Sequence, residues 1–160
     1  MSVENVRKYL TENGFDGEVI EFVADTATVA LAAEAIGCEE KRIAKTLSFD
    51  TASGAILVVM SGESKVDNKL FKEEFAEKAR MISFDDVEAK TGHAPGGVCP
   101  FAVKDGVKVY ADESLKRFDY FYPAAGSSHS AVKMTCDELE KLGKIVKWVD
   151  IGKGWRENEQ

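Results

Sequence analysis

The chain has 160 residues, 44% hydrophobic and 31% charged, with 21 Lys and Arg against 28 Asp and Glu for a net charge of −7. This length and balance fit one globular domain with its own core and exclude a disulfide-stapled miniprotein, a collagen-like repeat and a disordered tail. The acid excess also excludes a general nucleic-acid binder, whose affinity comes from neutralising phosphates, so an RNA substrate would need a local basic patch.

A first helix is expected over residues 2–13, capped by Ser2, striped by Val3, Val6 and Leu10 and stopped by Gly14. Val19 to Val23 reads as a strand, and Thr28 to Ile36 as an Ala-rich helix ended by Gly37. Ile43 to Phe49 and Ala55 to Met60 read as an antiparallel pair joined through residues 50–54. Asp67 to Ala79 is expected to be a helix with Phe71 and Phe75 one turn apart, followed by a short strand, Met81 to Ser83. A fourth helix should start at Asp85, with Glu88 completing a capping-box-like start, and end near Gly92. After the loop 92–100 come a strand at Val107 to Ala111, a helical turn at Asp112 to Leu115 and an extended piece at Asp119 to Tyr122. A second loop, 123–130, leads to a short strand near Ala131 to Met134. Thr135 and Glu138 then form a Thr-x-x-Glu capping box before a helix closed by Gly143, and Lys144 to Val149 is the last strand.

Helices and strands interspersed irregularly, with a hairpin, favour an α+β fold with a mixed sheet over a doubly wound parallel one. One domain over residues 1–151 is expected, followed by a polar tail, 152–160, that frays. The longest apolar run, Ala55 to Met60, is too short to span a bilayer, and the N-terminal residues lack an apolar signal core. A cytoplasmic protein with no membrane partner is expected, its odd and widely spaced Cys38, Cys99 and Cys136 reduced.

Lys45 is the most informative position. In a strand, Ile43, Lys45, Leu47 and Phe49 share one side, and their size marks it as the core side. A lysine in that register must snorkel, meet an anion or lower its pKa. Gly96 and Gly97 form the second feature, because adjacent glycines permit close ligand approach and their N–H groups can bind an anion or a developing oxyanion. A Gly-Pro turn without chemistry is the alternative. The small-residue loop Ala124 to Ser130, with one imidazole, is the third. His93, Cys99, His129 and Cys136 match no metal-ligand spacing, so no metal site is expected. Cys99 with His93 or His129 is a candidate thiol nucleophile.

Taken in order, these residues resemble the YbaK/ProX family, free-standing relatives of the editing domain inserted in bacterial prolyl-tRNA synthetases. The pieces are Thr26-Ala27-Thr28, Ala32-Ala33-Glu34-Ala35-Ile36-Gly37, Ile43-Ala44-Lys45-Thr46-Leu47, Val59-Met60-Ser61-Gly62 with Asp67, Thr91-Gly92, Gly96-Gly97-Val98-Cys99-Pro100 and Ala125-Gly126. The resemblance implies a mixed, strongly curved, barrel-like sheet with surrounding helices. It also implies a deacylase that hydrolyses the ester of a tRNA, of the proline type, mischarged with a small amino acid. Neither metal nor organic cofactor is implied. The implied partner is the aminoacylated 3′ end of tRNA, presented by prolyl-tRNA synthetase or an elongation factor.

On this resemblance Lys45 orients the 3′ end, and Gly96 and Pro100 are the Gly-x-x-x-Pro element that sets backbone groups at the ester. The N–H groups of Gly96 and Gly97 would stabilise the tetrahedral intermediate. Thr26, Thr46, Ser61, Gly62, Asp67, Gly126, Ser128 and His129 join as substrate-binding positions, although an ideal strand points Thr46 away from Lys45. Relatives that act on cysteinyl-tRNA carry Ser-Gly-Gly where this chain has Ala124-Ala125-Gly126, and an aspartate where it has Ala131. Ser128 or His129 would fill that polar role. The amino acid, whether alanine, serine, cysteine or threonine, stays open. Two other functions fit the same residues: a non-catalytic module for aminoacyl-adenylate or nucleotide ligands, and a cysteine-dependent hydrolase. A −7 protein is expected to hold tRNA weakly unless Lys41, Arg42, Lys45, Lys65, Lys69 and Lys72 gather into one basic rim.

Overall fold

A computed structural model describes residues 2–23 and 28–156. Helix α1 (Ser2–Glu12) buries Val3, Val6 and Leu10, and Gly14 follows in the left-handed region at φ 85°. The side chain of Ser2, expected as its cap, lies outside the described residues. Strand β1 (Val19–Glu21) stops two residues earlier than expected, since its partner chain turns away once the Phe22 N–H has reached the His129 carbonyl. Helix α2 (Val29–Ile36) is capped by Thr28, whose side chain accepts from the Leu31 N–H at 3.1 Å, and it ends on a left-handed Gly37.

The hairpin is longer and tighter than its apolar run implies. Strands β2 (Ile43–Thr51) and β3 (Gly54–Ser61) pair from Ala44↔Ser61 to Thr51↔Gly54, leaving Ala52 and Ser53 as the turn. After β4 (Lys65–Val66), Asp67 caps α3 (Asn68–Phe75) by accepting from the N–H groups of Lys69 and Leu70. This helix ends four residues short of Ala79. Ala76 turns left-handed, and the Glu77 carboxylate accepts the Ala52 N–H, drawing the chain to the hairpin turn. Met81 makes a single bridge to Phe49 and no strand of its own.

Helix α4 (Val87–Thr91) starts later than expected and without the Asp85–Glu88 box. Ser83 instead donates its hydroxyl to the Asp86 carboxylate. Strand β5 (Lys108–Asp112) leads into a 3-10 turn at Glu113–Arg117, which Asp112 caps through the Ser114 N–H. Strands β6 (Tyr122–Pro123) and β7 (Ser130–Val132) are short, helped by a Phe121–Met134 bridge. The Thr135–Glu138 capping box forms as its sequence predicts at the start of α5 (Cys136–Leu142). Gly143 is not the left-handed residue there; Lys144 is, at φ 49°, and Gly143 is needed because a Cβ would stand 2.8 Å from the Leu139 carbonyl. Strand β8 (Ile145–Val149) follows. The tail expected to fray from Gly152 instead forms β9 (Gly152–Lys153), antiparallel to β4, behind a fully buried Ile151.

The main sheet has the order β6-β2-β3-β5-β8, with β2–β3 antiparallel and its other neighbours parallel. It is a mixed, curled, half-barrel sheet of an α+β fold, with five α-helices among the described residues. Both faces are covered, so β3 is apolar on both sides. Ala44, Leu57, Val59, Val109 and Ala111 face the larger core with Val6, Leu10, Leu139 and Leu142 from α1 and α5. Phe49, Ile56, Val58 and Met60 face a smaller one with Phe71 of α3, Val149 and Ile151. Side-chain size along β2 therefore marked the smaller core; the larger lies on the Ala44 side. Among the described residues, no helix is long and apolar enough to cross a membrane.

Replacing Thr135 removes one side of the capping box. Thr135→Ala is expected to cost about 1 kcal/mol and to lower the melting temperature by about 2–4 °C, read by thermal denaturation.

Candidate active site

Strand β2 is the outer strand of the hairpin, and its outward edge is stitched at both ends. The Gly62 N–H bonds the Ile43 carbonyl, and from this alternation the N–H and C=O groups of Ala44, Thr46, Ser48 and Asp50 point outward. Ala44 pairs with β6, the Ser48 carbonyl accepts the Ile82 N–H, and the Asp50 N–H reaches the Arg80 carbonyl. Thr46 between them has no strand partner on that side among the described residues, because β6 leaves β2 after two residues.

A cavity of about 300 Å³ opens at this gap, at the lower end of the ~300–1,000 Å³ common for small-molecule sites. Lys45, Thr46 and Leu47 form its floor, Val29, Ala32 and Ile36 of α2 one wall, and Gly96, Val98, Tyr122, Ala124, Ser130 and Ala131 the other. The pairing of β2 with β3 is regular through this stretch, so Thr46 does point away from Lys45. Both line the cavity because it sits on the strand's edge rather than on a face. The Thr46 hydroxyl is buried and has no hydrogen-bond partner among the described residues.

The Lys45 ammonium turns toward the stretch after β3. It donates to the Ser64 carbonyl and, at 3.4 Å, to the Gly62 carbonyl. Burying an unpartnered ammonium costs several kcal/mol, and a hydrogen bond to a charged group returns about 1.5–3 kcal/mol. Burial pushes the Lys45 pKa down, and the like charge of Lys65 pushes it further.

The glycine loop is built by turn chemistry. The Gly97 N–H donates to the Ala94 carbonyl at 3.0 Å, with Pro95 second and Gly96 third at φ 86°, the arrangement of a type II turn. Gly97 is therefore removed from the expected pair of oxyanion donors, its N–H being committed to the turn. It matters for packing instead, since a Cβ there would stand 2.7 Å from the Gly126 carbonyl oxygen and the Ser127 Cα. The two loops thus meet glycine to glycine, with Gly96 exposed at the cavity.

Behind this loop, the fully buried Cys99 lies 3.6 Å from His93, whose Nε2 is 2.7 Å from the Phe101 carbonyl. Burial pushes the Cys99 thiol up to about 12 and the His93 pKa down. This neutral, enclosed pair braces the loop, and it overturns the cysteine-nucleophile reading, which needs an accessible thiolate. Among the described residues, no three His, Cys, Asp or Glu side chains gather as a metal site.

The other expected positions fall elsewhere. Ser61 is fully buried, donates to the Lys41 carbonyl and accepts from Arg117. Gly62 packs against the Glu40 carbonyl and lends its own carbonyl to Lys45. Asp67 is occupied as the α3 cap. Pro100 is buried and lines a different recess, with Tyr9 and Val103. Gly126 touches Gly97 rather than the cavity. Ser128 and His129 lie at the loop tip outside the cavity lining, His129 exposed. Thr26 lies outside the described residues. Ser130, rather than Ser128 or His129, lines the cavity; its buried hydroxyl ties the loop by accepting from the N–H groups of Ala125 and Ser127. The Val29-Ala32-Ile36 stripe was visible at helical spacing, but nothing in it distinguishes a cavity wall from core.

The chain belongs to the aminoacyl-tRNA editing domain family, whose model matches residues 23–142. It is 44% identical over 156 residues to "Uncharacterized protein YwhH" of Bacillus subtilis, covering 97% of this chain and 99% of that one. It is 29% identical over 112 residues to "Putative Cys-tRNA(Pro)/Cys-tRNA(Cys) deacylase EbsC" of Enterococcus faecalis, covering 69% and 68%. Among solved structures, "a putative trans-editing enzyme for prolyl tRNA synthetase" superposes with a TM-score of 0.87 at 30% identity, covering 96% of this chain and 98% of that one.

The half-buried ammonium of Lys45 has a signature in stability. Its native pKa lies below the 10.5 of the unfolded chain, so between those values the unfolded state binds more protons and stability rises with pH. Lys45→Met lacks this contribution. The unfolding free energy of the wild type relative to Lys45→Met, from urea titrations at pH 7 to 10, should increase toward alkaline pH.

Proposed function

We propose that this protein is a trans-acting aminoacyl-tRNA deacylase, hydrolysing the ester of a tRNA, of the proline type, that carries a wrongly attached small amino acid. One observation carries the reading. Lys45 and Gly96 line the same cavity, and among the described residues no carboxylate, imidazole or thiol lines it with them. An aminoacyl ester is already activated, so positioning, one oxyanion donor and a water are sufficient.

In this reading Lys45 anchors the acylated adenosine end, and the N–H of Gly96, a residue exposed at the cavity, is the donor to the ester carbonyl oxygen. Water adds to the carbonyl carbon, assisted by the free hydroxyl of the terminal ribose. The tetrahedral intermediate collapses, the ribose oxygen leaves with a proton, and free amino acid and deacylated tRNA result. The unpartnered Thr46 hydroxyl and edge amide supply hydrogen bonds for the substrate. The largely apolar walls, with Ala124 and Ala131, suit a small side chain. The proline tRNA is supported by the names of the similar proteins. Lys41 is tied to Glu39 and Arg42 to Asp119, which leaves the expected basic rim thin. Presentation of the tRNA by prolyl-tRNA synthetase or an elongation factor follows from that weak electrostatic hold.

Proline tRNA mischarged with alanine, serine, cysteine or threonine is incubated with wild type and Lys45→Ala, and released amino acid is counted. Release from at least one species is expected, reduced about 10²-fold or more in Lys45→Ala while the protein stays folded. Saturable binding without release from any species would leave a non-catalytic nucleotide-binding module. Equal rates in the two proteins would remove Lys45 from the mechanism.

A further inference from the structure

In a protein with seven surplus negative charges, one pair of lysines close to the Lys45 ammonium has no ion-pair partner among the described residues. Lys65 and Lys153 are register partners across the antiparallel β4–β9 ladder, so their side chains project from the same face. Directly opposed like charges destabilise a ladder. Both residues are exposed, and neither belongs to an ion pair among the described residues.

Nearby carboxylates are engaged elsewhere. Glu63 pairs with Arg117, Asp150 with Arg156, and Asp67 caps α3. The pair is tied to the site, since the Lys45 ammonium bonds the carbonyl of Ser64, the residue before Lys65. The register is held closely: Gly152 sits against Ser64, where a Cβ would overlap the Ser64 hydroxyl.

We propose that Lys65 and Lys153 together bind one backbone phosphate of the substrate's single-stranded 3′ end, just outside the cavity that takes its terminal nucleoside. This rests on the deacylase reading for the identity of the RNA. A phosphate between two ammonium heads removes the repulsion and adds charge-assisted hydrogen bonds. It also gives an acidic protein a local grip on RNA without a broad basic surface.

The test uses a CCA trinucleotide and its uncharged methylphosphonate analogue, with binding followed by titration calorimetry between 50 and 200 mM salt. These salt concentrations span roughly the range in which phosphate contacts weaken. Wild type should bind the charged trinucleotide more tightly than the analogue. The double variant Lys65→Gln/Lys153→Gln should bind the two alike. Its slope of log affinity against log salt should be shallower by about 0.7, the value for one phosphate on a single strand. Thermal melting of the free double variant should be unchanged or higher, because repulsion is relieved; a merely structural role would lower it. Equal trinucleotide affinity and salt slope in wild type and double variant would overturn the proposal, as would equal loss for both ligands. Release of amino acid from mischarged tRNA is measured on the same proteins. Absence of turnover alongside the expected binding pattern would strike the deacylase reading alone.

Discussion

The candidate site is arranged around the Lys45 ammonium at the edge of a sheet. Lys45 leaves β2 on the side of the smaller core, next to Met60 across the ladder, yet its nitrogen reaches two backbone carbonyls rather than a carboxylate. A carboxylate partner would have cancelled its charge. Carbonyls hold the position while leaving the positive charge uncancelled. Ser61, pinned by the Lys41 carbonyl and Arg117, and Gly62, packed on Glu40, fix the backbone that supplies those carbonyls. Two residues outside the cavity lining therefore set the direction of Lys45, the one cation that lines it among the described residues.

Opposite the lysine, backbone rather than side chains does the shaping. The type II turn over residues 94–97 exposes Gly96, and its neighbour permits the 123–130 loop to approach to contact distance. The buried His93–Cys99 pair stiffens the turn from behind. Such a rigid floor suits chemistry in which geometry, rather than a nucleophile, lowers the barrier.

Most of the fold was legible because periodicity and caps agreed. The hairpin, the Thr135–Glu138 box, the Gly37 stop and the mixed α+β class all follow from local pattern. What failed was set by tertiary contacts. Helix α3 stops where Glu77 is drawn to the hairpin turn, and Gly152–Lys153 become a strand only because Lys65–Val66 offer an edge. In the site, Lys45 stood out because a lysine in an apolar strand is costly anywhere. Ser61, Asp67 and Pro100 look alike in sequence whether they touch a ligand or hold a turn, and here they hold the scaffold. Ser130 and the α2 wall carry no local anomaly to betray them. Thr46 looked misdirected only while the cavity was imagined on a face of the sheet rather than along its rim.

The gap in that rim has a consequence for self-association. An exposed strand edge ordinarily invites pairing with another chain and, from there, ordered aggregation. The unpaired stretch of β2 is a single outward rung, closed above by β6 and below by the contacts of Arg80 and Ile82, and recessed between α2 and two loops. No neighbouring strand of useful length can dock there, whereas one small polar group can. Among the described residues, the fold thus leaves one backbone rung open without offering a template for polymerisation.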